Sequence, residues 1–190
     1  MKITFKKIFT KSNLLSFSRL LMAIPFWFLL ENLQVPEIRF ITFAVCILGA
    51  GTDILDGYLA RRFNEVTELG KIIDPLADKV VISVIIIKLF ILNLIPGYYF
   101  YMIIIRDLLI LMGGIFIANK LGKVLPSNIL GKITVVNIAL VILLIILQVG
   151  YTNIIFRILY ILSIILMIVS LSGYAVRAFE FIKRKNYDSI

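Results

Sequence analysis

Four aspartates carry the most legible chemistry in this chain: Asp53, Asp56, Asp74 and Asp78 stand at or near the ends of two long apolar stretches. A charge toward the middle of a membrane span costs roughly 2.5–3.5 kcal/mol on insertion scales. Aspartate is too short to reach water by the long stems that Lys and Arg use. On a helix, Asp53, Asp56, Gly57 and Ala60 fall at i, i+3, i+4 and i+7, a single face. Gly70, Asp74 and Asp78 fall at i, i+4 and i+8, again one face. The small residues Gly57, Ala60 and Gly70 leave those faces open to a bulky partner. Acids gathered at one cavity repel, and some hold protons unless cations compensate them. Oxygen ligands suit Mg²⁺, Mn²⁺ or Ca²⁺. Two such ions can clamp a diphosphate during in-line displacement at phosphorus. Pro75, directly after Asp74, suits a helix start or bend that aims Asp74 inward. The plainer alternative is surface aspartates at chance spacing.

The rest of the composition narrows the chemistry. There is no histidine, and Cys46 is alone, so neither an intramolecular disulfide nor a thiolate metal site can form. A general base or metal ligand must come chiefly from carboxylates, which points to a hard cation.

The elements that must position these acids read as membrane spans. The chain has 190 residues, 61% hydrophobic and only 16% charged, with a mean hydropathy of +1.05. That apolar excess cannot be buried inside one small globule, so bilayer must solvate much of it. Apolar runs predict six transmembrane helices near 14–33, 38–60, 72–94, 98–119, 128–149 and 153–180, each close to the ~20 residues needed to cross. Ahead of them, residues 1–12 predict a short basic helix lying in the interface. No cleavage-site pattern follows that basic start, so no removable signal is expected. We expect one all-α domain over 1–190. Lys and Arg gather in alternate connections, including Lys71, Lys120, Lys123, Lys183, Arg184 and Lys185, while Arg39 and Arg157 lie opposite. This predicts both termini on the cytoplasmic side. The net charge of +9 then reads as membrane orientation and anionic lipid, not nucleic acid.

The stretch Asp53-Ile-Leu-Asp56-Gly57-Tyr-Leu-Ala60-Arg61, eight residues, then Gly70-Lys-Ile-Ile-Asp74-Pro-Leu-Ala-Asp78 matches D-x-x-D-G-x-x-A-R-x8-G-x-x-x-D-x-x-x-D without gap or substitution. It resembles the signature of the CDP-alcohol phosphatidyltransferases. The resemblance implies a six-helix membrane fold, a homodimer, and a cytoplasm-facing cavity in the inner membrane. It implies Asp53, Asp56, Asp74 and Asp78 as ligands of two Mg²⁺ or Mn²⁺ ions. Asp78 would also remove the acceptor hydroxyl proton, and Gly57, Ala60, Arg61 and Gly70 would contact the CDP-lipid. Independently, Arg61 is a permanently charged fork suited to phosphate, although a snorkelling interfacial arginine is its bland alternative.

Arg106, followed by Asp107, interrupts an apolar run and needs a partner, which makes it a functional candidate. Arg106, Lys132 and Arg177 could bind a phosphate on the acceptor. For Lys120 and Lys123, orientation charge is at least as good an account. Lys88, mid-span, has no partner nameable from sequence. Asp74-Pro-Leu-Ala-Asp78-Lys79 and Asn13-Leu-Leu-Ser16-Phe-Ser-Arg19 look most like the phosphatidylglycerophosphate synthase branch, which implies CDP-diacylglycerol as donor and glycerol 3-phosphate as acceptor. Arg106-Asp107, where that branch usually has Arg-Glu, is similar to the eukaryotic-type cardiolipin synthases and keeps phosphatidylglycerol open as acceptor. The rival class is a divalent-cation transporter, but its usual broken helices or repeats are not seen.

Overall fold

In the computed structural model, the backbone is described for residues 11–62, 70–121 and 129–188, and side chains for 20–52, 79–117 and 129–180. Six helices follow one another: α1 (Lys11–Glu31), α2 (Pro36–Arg62), α3 (Gly70–Ile91), α4 (Gly97–Leu121), α5 (Ile129–Ile146) and α6 (Ile154–Asp188). They answer to the six expected spans. Of the segment expected to lie in the interface, residues 1–10 fall outside the described residues, and Lys11 already opens α1. Among the described residues, Gly97–Ile117, Ile129–Ile146 and Ile154–Glu180 are long and apolar enough to cross a membrane, and Leu20–Glu31 is a shorter apolar helix. The chain is an integral membrane protein.

The ends of the helices have local causes. Pro36 opens α2 at the position where a missing N–H costs nothing. Asn93 closes α3 with φ 57°; its N–H reaches Phe90 O at 2.9 Å and that of Leu94 reaches Leu89 O at 2.9 Å. Gln148 repeats the device after α5, with φ 56° and the Val149 N–H donating to Leu144 O at 2.9 Å. Both are left-handed C-terminal caps, usually a glycine's role. The Asn153 side chain starts α6 by accepting from the N–H groups of Ile155 at 2.9 Å and Phe156 at 3.3 Å. At 35 residues, α6 is about 52 Å long, far more than hydrocarbon alone requires. It overruns the expected end near 180 because its basic tail, Lys183-Arg184-Lys185, is built of good helix formers.

The chain divides into two compact units, residues 1–94 and 95–190. In the first, α1 packs along α3 and α2 packs against α1, burying Phe26, Leu30, Leu33, Ile85, Ile86 and Leu89. In the second, α5 and α6 pair and α4 lies along α6. The core there holds Ile103, Ile138, Val141, Ile145, Tyr160 and Met167. Large apolar side chains outside that core, such as Ile105, Met112, Phe116, Ile158 and Ile165, are exposed, as lipid-facing surfaces require.

Candidate functional site

The signature straddles the connection between α2 and α3. Asp53, Asp56, Gly57, Ala60 and Arg61 stand in the last turns of α2, and Gly70, Asp74 and Asp78 in the first turns of α3. At 1.5 Å per residue, all eight lie within about 14 Å of that connection, measured along their helices. Their side chains lie outside the described residues. Among the described residues there is no cluster of three or more metal-ligating side chains. The donor chemistry of the signature, carboxylate oxygen in a chain with no histidine, fits hard divalent cations.

In the second unit a register governs the packing of α4 on α6. The Tyr99 hydroxyl meets Ser163 Oγ at 2.8 Å, and Arg106 Nε donates to Ser170 Oγ at 3.4 Å. Both pairs are 64 residues apart, so one heptad along α4 matches one heptad along α6 and the two helices run in the same sense. Tyr99 also stacks on Tyr160 with ring centroids 4.6 Å apart, and Tyr98 and Tyr160 share a hydroxyl hydrogen bond of 2.7 Å.

Arg106 is buried, 6% exposed. Besides Ser170 it donates from Nη1 to Asp107 Oδ1 at 2.7 Å and from Nη2 to the carbonyl of Gly131 at 3.4 Å. One guanidinium therefore ties three helices, with a half-exposed carboxylate balancing its charge. One N–H on each terminal nitrogen has no acceptor among the described residues. Gly131 is the neighbour of Lys132, and Ser170, Tyr174 and Arg177 follow at i, i+4 and i+7 on one face of α6. Lys132 and Arg177 are exposed, and no direct contact joins either of them to Arg106.

Sequence reasoning missed several partners. Lys88 is 5% exposed, yet its ammonium meets Glu31 Oε2 at 3.2 Å and lies 4.4 Å from the Trp27 ring centroid. Glu31 ends α1 and Lys88 sits in the last turn of α3, so this is a clasp between helix ends. Ser170 and the Gly131 carbonyl carry no sequence signal of their own. The heptad spacing of Tyr99 and Arg106 against Ser163 and Ser170 was the available clue.

Residues 9–171 match the profile of the CDP-alcohol phosphatidyltransferase family. A protein of Aquifex aeolicus named CDP-diacylglycerol–glycerol-3-phosphate 3-phosphatidyltransferase is 33% identical over 177 residues, covering 90% of this chain and 96% of its own. A Bacillus subtilis protein of the same name is 35% identical over 135 residues, 70% of this chain and 67% of its own. A rat cardiolipin synthase (CMP-forming) is 36% identical over 118 residues, 62% of this chain but only 38% of its own.

Proposed function

We propose that this chain, which belongs to the CDP-alcohol phosphatidyltransferase family, transfers a phosphatidyl group from CDP-diacylglycerol to glycerol 3-phosphate, giving phosphatidylglycerophosphate and CMP. The observation that carries this reading is the intact signature at the α2–α3 connection. The acceptor is supported by the relatives named for that reaction, one of them aligned over 96% of its length.

Asp78 takes the proton from the acceptor hydroxyl, and with no histidine in the chain a carboxylate is the available base. The freed oxygen attacks the lipid-side phosphorus of the diphosphate, and the bond to the CMP oxygen breaks. Arg61 holds the leaving phosphate with a planar fork. Gly57, Ala60 and Gly70 keep the helix faces bare for the cytidine nucleotide. Members of this family are in general divalent-metal dependent; here Asp53, Asp56, Asp74 and Asp78 would hold two Mg²⁺ or Mn²⁺ ions. When bound, those ions neutralise the diphosphate and the charge that develops on it.

Arg177 and Lys132, exposed on α6 and α5, supply charge for the acceptor's phosphate, and the two remaining N–H groups of Arg106 add donors. The site and both termini lie on the cytoplasmic side of a bacterial inner membrane, a reading whose orientation is supported by the Lys and Arg distribution. The working unit is a homodimer.

Phosphatidylglycerol is the second acceptor to consider, because Asp107 follows Arg106 and cardiolipin synthases are among the relatives. Product analysis separates the two. Purified protein given CDP-diacylglycerol, glycerol 3-phosphate and phosphatidylglycerol together should yield phosphatidylglycerophosphate. Cardiolipin as the sole product would overturn the assignment of the acceptor.

A further inference from the structure

The α4–α6 register has a third layer that neither the signature nor the family comparison accounts for. One heptad beyond Arg106, α4 carries Gly113 followed by Gly114; the Tyr174 ring of α6 lies against Gly113 and its hydroxyl against Gly114. A Cβ at Gly113 would come within 3.0 Å of Tyr174 Cε1, and one at Gly114 within 3.2 Å of its hydroxyl oxygen. Neither glycine has a backbone conformation that demands glycine. In a helix interior glycine is destabilising relative to alanine, so the reason for the pair is the approach of the Tyr174 side chain.

Tyr174 stands one turn after Ser170, both against α4, and the exposed Arg177 follows one turn later. From Ser170, α6 runs on to Asp188, about 27 Å. Over that stretch, Tyr174 is the α6 residue seen against α4 among the described residues. Arg177 sits within the same stretch.

We propose that Tyr174, seated on Gly113 and Gly114, is a positioning residue that fixes this part of α6 and so places Arg177 for the acceptor. The proposal rests on the acceptor role given to Arg177 above. A ring displaced by a few tenths of an ångström, as a methyl at Gly113 demands, moves the helix that carries Arg177. Misplacement on an ångström scale is enough to lower rates by up to about a hundred-fold. The ring body and not the hydroxyl does the work, since the close contact at Gly113 is with a ring carbon.

The test is initial-rate CMP release by the full chain in detergent, varying glycerol 3-phosphate and CDP-diacylglycerol separately. Gly113→Ala and Tyr174→Ala should each raise KM for glycerol 3-phosphate about ten-fold, with KM for CDP-diacylglycerol within two-fold of wild type. Tyr174→Phe should behave as wild type, and the double variant Gly113→Ala/Tyr174→Ala should be no worse than Tyr174→Ala alone, because both changes break one contact. Wild-type acceptor KM in both single variants would overturn the proposal, as would equal rises for both substrates. A Tyr174→Phe defect matching Tyr174→Ala would transfer the role to the hydroxyl and overturn it too. If wild type ignores glycerol 3-phosphate, the acceptor assignment has failed. The notch is then judged on KM for the acceptor that wild type does use.

Discussion

Arg106 ties three helices, and in the function proposed above it also supplies charge to the acceptor; the two roles separate by substitution. Its three described hydrogen bonds reach Ser170, Asp107 and the Gly131 carbonyl, and two N–H groups have no acceptor among the described residues. Hydrogen bonds between membrane helices average about 0.6 kcal/mol each, so Arg106→Ala should destabilise the protein by about 1–2 kcal/mol. It should also raise KM for glycerol 3-phosphate at least ten-fold while leaving KM for CDP-diacylglycerol nearly intact. Arg106→Lys keeps the charge but cannot reproduce a planar fork, and should recover only part of the acceptor affinity. Steady-state kinetics on variants matched for melting temperature check both statements. That Arg106 needs a partner was legible from a single charge inside an apolar run. Its partners were not, because Ser170 lies 64 residues away and Gly131 contributes a backbone carbonyl, which has no residue type to read. The eight signature positions were legible for the opposite reason: their spacing is local and fixed.

At the level of helices, the hydrophobic runs gave the number and order of the elements, since six apolar stretches have few other ways to satisfy their backbone in lipid. The boundaries were harder to read. Asn93 and Gln148 close their helices in left-handed conformations that a glycine would have advertised. The clasp between α1 and α3 was equally hidden, since Lys88 and Glu31 are 57 residues apart. Glu31 is 56% exposed and Lys88 only 6% at the side chain, so the carboxylate keeps much of its hydration while the ammonium depends on its partners. Glu31→Gln should therefore cost about 1 kcal/mol, read as a lower melting temperature in detergent. Adding Lys88→Met, which removes the charge that needed compensation, should restore most of the loss. CMP release should stay within two-fold throughout, because this clasp lies at the far ends of α1 and α3 from the α2–α3 connection.

For the whole molecule, a membrane-embedded helical scaffold carries a carboxylate signature in the last turns of α2 and the first turns of α3, and basic side chains on α4, α5 and α6. The family profile runs across residues 9–171, and the roles of individual side chains are tested directly by activity. The most direct test is CMP release by purified protein with CDP-diacylglycerol and glycerol 3-phosphate, before and after metal removal by a chelator, alongside Asp78→Asn. The account predicts release that stops on chelation, returns with Mg²⁺ or Mn²⁺, and falls by about a thousand-fold in the folded Asp78→Asn variant. Release that survives chelation, or that Asp78→Asn leaves unchanged, would contradict it.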